Sequence, residues 1–151
     1  MSVVRADAPV EQPVSGADHV ELARLVTEAA WRVDLGKADT LHELFVDDGE
    51  LVMGQTVLRG RNAIEAWGHG LVDAQTYRCI RHVCGNMRFV HDGPDAARGI
   101  TVLTVFMVAG NAPASTLPWT VGEDHDWFVR TDQGWRIRSR RWEQLFARPE
   151  P

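Results

Sequence analysis

Cysteine is scarce: Cys79 and Cys84 are the only two among 151 residues. They stand five positions apart in one expected strand, which turns them to opposite faces roughly 16 Å apart. A disulfide tolerates a Cα separation of only about 7 Å, so they are not expected to bridge. Two free thiols fit a reducing compartment, and the expected location is cytoplasmic. Positive charge is also in deficit. Lys plus Arg number 16 against 21 Asp plus Glu, a formal net charge of −5. Nucleic acid and anionic membrane are therefore not the expected partners, because binding phosphate needs a basic face. No apolar run is long enough to span a bilayer. Met1 to Gly16 has no apolar stretch of the kind a signal peptide carries, and no helical period, so it reads as a flexible arm that a partner subunit could order. Tyrosine occurs once, at Tyr77. There is no repeat, no low-complexity segment, and no His-x-His or HExxH pattern, so neither a metal nor any other cofactor is expected.

What is present is ordinary for a soluble domain: 44% hydrophobic and 25% charged residues, in a chain long enough for one core. One domain is expected over residues 17–147, between the arm 1–16 and a short tail 148–151. Asp18 can cap a first helix, with Glu21 three positions on. Leu22, Leu25, Val26, Ala29 and Val33 give it one apolar stripe, and Gly36 stops it. Asp39 is expected to cap a short second helix through Leu41, Leu44 and Phe45, and Asp47-Asp48-Gly49 reads as a turn. Leu51 to Leu58 is a short strand broken at Gly54. Ala63, Ile64, Trp67 and Leu71 mark a third helix. Strands follow over Tyr77–His91, Ala97–Ala109, Trp119–Arg130 and Trp135–Trp142, separated by turns at Asp92–Asp95 and Thr131–Gly134 and a loop at Gly110–Pro118. Helices first and a meander afterwards give an α+β domain: a curved, mainly antiparallel (mixed) sheet with three N-terminal helices enclosing a pocket. Ala97–Ala109 is apolar throughout, so both of its faces should be covered, most simply by a homodimer through the sheet face.

Two residues stand out chemically. His82 lies mid-strand in an apolar run, and histidine is the side chain that exchanges a proton near neutral pH. Taken alone, it equally describes a core histidine with a satisfied hydrogen bond. Asp34 falls in the last turn of the first helix, where the macrodipole disfavours an acid by about 0.3–1 kcal/mol. Either it is a solvated acid before a glycine cap, or a partner offsets that cost, and His82 is the candidate. Asp124 and Asp126, two apart in a strand, share a face opposite Glu123 and His125. Arg136, Arg138 and Arg140 should likewise share one face of the last strand, the usual pattern of a solvated or interface face.

The segments Val33–Asp39 with Leu44–Gly49, Leu58–Ile64, Arg81-His82 with Asn86, and Asp126–Ile137 occur in an order that resembles the SnoaL-like branch of the nuclear transport factor 2-like superfamily, across roughly residues 18–146. The resemblance implies a cone-shaped fold with an apolar pocket, usually dimeric, but no single activity. In its scytalone dehydratase, bile-acid dehydratase and polyketide cyclase branch, an Asp and a His at the positions of Asp34 and His82 form a catalytic dyad. Trp31, Met53, Trp67 and Asp124 are the positions expected to contact substrate. The implied function is a cofactor-free acid–base lyase or isomerase acting on a small apolar, cyclic molecule. The alternatives are a non-catalytic module that binds a hydrophobic ligand or assembles with another chain, and a small subunit of a ring-hydroxylating dioxygenase. This chain departs from the dehydratases in having Val33, not tyrosine, beside the helix acid.

Overall fold

A computed structural model describes residues 11–108 and 117–148. The first ten residues of the expected arm, most of the Gly110–Pro118 loop and the end of the tail lie outside the described residues.

The first helix, α1, runs Gly16–Asp34. Its cap is Ser15 rather than Asp18: the Ser15 hydroxyl oxygen accepts the Asp18 backbone N–H at 3.1 Å and donates to the Asp18 carboxylate at 2.9 Å. Asp18 sits one turn inside, where a negative charge suits the helix dipole. From there its Oδ1 accepts the Trp135 indole N–H at 2.9 Å and an Arg130 N–H, tying the helix start to the last hairpin. These bonds, Trp135 first, hold its carboxyl down to about 2. At the other end the Lys37 N–H reaches the Arg32 carbonyl at 2.7 Å and Gly36 takes φ +72°, the left-handed helix stop that glycine favours. Gly36 also has no room for a side chain, since a Cβ there would lie 2.9 Å from the Tyr77 ring.

The expected second helix is a short 3-10 turn, Ala38–Leu44, with no side-chain cap from Asp39 or from its actual N-cap Lys37. Phe45 belongs instead to β1, Phe45–Met53, which hairpins at Gly54 into β2, Thr56–Arg59. The Asp47-Asp48-Gly49 segment is not a turn. It is an irregularity inside β1, where the pairing register shifts between Phe45 and Glu50. The remaining helix, α2, spans Arg61–Asp73. It touches the 3-10 turn backbone to backbone: a Cβ at Gly68 would meet the Ala38 carbonyl oxygen at 2.1 Å.

Strands β3 (Ile80–His91), β4 (Ala96–Met107), β5 (Thr120–Thr131) and β6 (Gly134–Ala147) form the meander. The six strands make one curved, unclosed sheet in the order β2-β1-β6-β5-β4-β3, with β1 and β6 parallel and the other pairs antiparallel. Leu22, Val26, Phe45, Ile64, Phe128 and Ile137, each at or near zero exposure, form the core between helices and concave face. On the opposite face, among the described residues, Val83 is 55% exposed, and Ile100 and Trp127 are each 39% exposed. Residues 12–14, the described end of the arm, run along β3, with Pro13 bridged to Val90 and the His91 N–H donating to the Gln12 carbonyl at 2.8 Å. Among the described residues no helix is long and apolar enough to cross a membrane.

Candidate active site

Helices and concave face enclose a cavity of about 260 Å³. Most of its wall is aliphatic or aromatic. Thr76, His82, Cys84, Thr120, Asp124 and Arg140 are its polar or ionisable lining residues.

The end of α1 abuts β3, and this brings Asp34 to His82. The Asp34 carboxylate, 3% exposed, takes two hydrogen bonds from that one residue. Oδ2 accepts the His82 backbone N–H at 2.8 Å, and Oδ1 lies 2.7 Å from the ring Nδ1. The hydrogen-bonding partner required by an acid at a helix C-terminus is thus present, and the Arg81 cation adds to it. Arg81 Nη1 donates to the carbonyl oxygens of Asp34 at 3.2 Å and Tyr77 at 2.7 Å, bracing the negative end of α1. A carboxylate can only accept hydrogen bonds, so the shared proton belongs on Nδ1. A neutral His82 then carries its lone pair on Nε2, the nitrogen left for the cavity that the residue lines.

Along β5 the alternation holds as expected. Asp124 and Asp126 face inward, 4% and 1% exposed, while Glu123 and His125 lie on the outer face, where His125 Nε2 is 3.1 Å from the Glu123 carboxylate. The arginines of β6 do not alternate as expected. The β5–β6 register slips where Phe128 pairs Ile137 but Trp127 pairs Ser139, leaving Arg138 as an extra residue. This bulge separates Arg140 from Arg138: Arg138 stays exposed, and Arg140 turns inward. Arg140 Nε and Nη2 bind both oxygens of Asp126 at 2.7 and 2.8 Å, and Nη1 lies 3.4 Å from Asp124 Oδ2.

Burial dominates the electrostatics here. It pushes the Asp124 carboxyl up to about 6, against the opposing pull of Arg140 and with a further push from Asp126. Burial also opposes the charge on Arg140, but the two carboxylates overcome it and hold the guanidinium proton more tightly than usual. The Cys84 thiol is pushed up to about 11, chiefly by burial, which makes it a poor nucleophile near neutrality. Among the described residues no three His, Cys, Asp or Glu side chains are grouped to hold a metal ion.

Of the positions expected to contact substrate, Met53, Trp67 and Asp124 line the cavity. Trp31 does not, and that expectation is corrected. It is 52% exposed on the side of α1 away from the Leu22–Val26–Ala29 stripe, over a shallow groove beside Trp135 and Arg136. Trp119, Trp142 and Arg140 line the cavity without having been expected there. Only the arginine run of β6 hinted at Arg140, and its alternation pointed the wrong way. Tyr77, the single tyrosine of the sequence, packs against Gly36 and is not a lining residue.

The SnoaL-like domain matches residues 15–141. No curated protein matches the chain. Among solved structures, a nuclear transport factor 2-like protein with a cystatin-like fold from Novosphingobium aromaticivorans is similar, with 27% identity, coverage of 85% of this chain and 82% of that one, and a TM-score of 0.72. A candidate scytalone dehydratase from the same organism has 18% identity, 87% coverage of both chains and a TM-score of 0.75. A candidate aromatic ring hydroxylase, also from that organism, has 18% identity, coverage of 89% of this chain and 93% of that one, and a TM-score of 0.72.

Proposed function

Because this chain belongs to the SnoaL-like domain family, whose cavity fold hosts more than one chemistry, we propose from the site itself that it is an acid–base lyase or isomerase for a small apolar, cyclic substrate. The observation that carries this reading is the Asp34–His82 pair, buried on its acid side and set in the wall of an otherwise apolar cavity. His82 Nε2 takes a proton from the carbon beside a substrate carbonyl, and Asp34 stabilises the imidazolium that forms. In an elimination the same proton passes to the leaving hydroxyl, which departs as water. In an isomerisation it returns to a different carbon. Neither course needs a cofactor. The likeness to a candidate scytalone dehydratase agrees with the elimination.

Proton abstraction can be tested without knowing the substrate. Incubated with β-tetralone in deuterium oxide, the protein should speed deuterium uptake at the carbon next to the carbonyl above the buffer rate, as read by mass spectrometry. A module that merely holds hydrophobic molecules would bind the ketone and leave its exchange at the buffer rate, which would sink the proposal.

The outer face of the sheet suits a second copy of the chain. Val83, Ile100 and Trp127 are all exposed on it among the described residues, apolar surface that a second subunit would remove from water. Sedimentation velocity should give a dimer, and Trp127→Arg should reduce it to a monomer. A wild-type monomer at micromolar concentration would refute this interface.

A further inference from the structure

The polar end of the cavity has an unbalanced charge. Arg140 brings the one guanidinium into the wall, but its Nε and Nη2 are committed to Asp126, and Nη1 faces Asp124. Asp124 and Asp126 are both buried against that single cation, so with both acids ionised the trio carries a net negative charge. Arg140 therefore has no spare charge with which to hold an anion. From this geometry we infer that Asp124, Arg140 and Asp126 act together as a specificity filter, which admits uncharged apolar molecules bearing a hydroxyl or carbonyl and rejects their carboxylate counterparts. The inference rests on the cavity being the substrate site and names the class of molecule it takes.

The physical reason is desolvation. A carboxylate entering a largely apolar cavity loses its water and must be repaid by an unspent cation or several donors. Here it would meet Asp124, whose carboxyl is pushed up to about 6 and is therefore ionised in mildly alkaline solution. The groups around Asp124 are Arg140 on β6, Asp126 on β5, and His82 and Cys84 on β3, with His125 acting from the outer face of β5, and Arg140 is the only permanent cation among them. A neutral hydroxyl meets no such repulsion. It can donate to the Asp124 carboxylate, which makes that residue a selector as well as a repeller.

Matched probes separate the outcomes. Isothermal titration calorimetry near pH 8 should show β-naphthol binding about tenfold or more tightly than β-naphthoate, since opposing like charges in a buried site is costly. In Asp124→Asn, which keeps the shape and removes the charge, the preference should narrow severalfold, with circular dichroism confirming the fold. Equal wild-type affinities, a preference for the carboxylate, or no measurable β-naphthol binding overturns the filter; so does a preference that Asp124→Asn leaves unchanged. Neither probe is turned over, so failure of the His82 mechanism would show only in deuterium exchange and would leave this binding ratio intact.

Discussion

Deuterium exchange into a bound ketone is expected to fall by about 10²–10⁴-fold when His82 is replaced by Ala, the usual contribution of a positioned general base. Binding of the ketone should change little, because the imidazole is one polar group in a wall that is mostly aliphatic and aromatic. Asp34→Asn should cause a loss of similar order for a different reason. An amide can present N–H to Nδ1, favouring the tautomer with its proton on Nε2, where the lone pair is needed. The two residues act as a unit, so the double variant should be no worse than the more damaged single one. Additive losses would mean that the two residues do not work as a pair. Both variants should be checked by thermal melting, since Asp34 also accepts the His82 backbone N–H. A melted Asp34→Asn would leave His82→Ala as the decisive measurement.

Arg140→Leu is expected to have the largest effect on stability. It strips the shared cation from two carboxylates that are each less than 5% exposed, a change that typically costs about 3–5 kcal/mol. The loss should depend on pH. Asp124 has a folded-state pKa raised from 3.8 to about 6, so its protonated form is the one the fold prefers. Its favourable contribution is complete below its unfolded value and disappears as pH rises through about 6, a span of roughly 3 kcal/mol. Removing Arg140 takes away the main influence holding that value down, so the charged form becomes costlier still. Urea unfolding should therefore show a larger deficit near neutrality than near pH 4. A deficit equal at both values would mean that Arg140 stabilises through its packed stem alone. Arg140→Lys should fall between, keeping the charge while losing the two-pronged contact with Asp126.

The parts of this molecule that could be read from sequence are those fixed by local pattern. The apolar stripe of α1 and the shared face of Asp124 and Asp126 follow from repeats of 3.6 and 2 residues, and the turn at Thr131–Gly134 from its turn-forming Asp and Gly. Asp34 was legible because an acid at a helix C-terminus raises an electrostatic question wherever it occurs. The α2–Ala38 contact, the bulge before Arg140 and the inset in β1 were not legible, because each is decided by what lies across the sheet or beneath the helix. A bulge changes the phase of every residue after it, which is why three arginines with regular spacing ended on different faces. The cap at Ser15 was missed for a competing reason. Asp18 satisfies the capping pattern, but Trp135 and Arg130, more than a hundred residues away, engage its carboxylate. Trp31 faces away from the cavity because it lies off the apolar stripe of α1, whatever its own hydrophobicity.

The two hydrogen bonds that Asp34 takes from His82 have a consequence for assembly of the fold. One carboxylate grips both the main chain and the ring of the same residue, so it recognises a particular rung of β3 as well as a particular side chain. If β3 slipped by one residue against β4, the ring would move to the other face and a different N–H would stand opposite the end of α1. Both bonds would be lost together, and a buried acid would be left alone at the end of a helix. The contact assigned to proton transfer thus also works as an alignment key between helix and sheet, so that a misaligned subunit loses stability and chemistry in the same step.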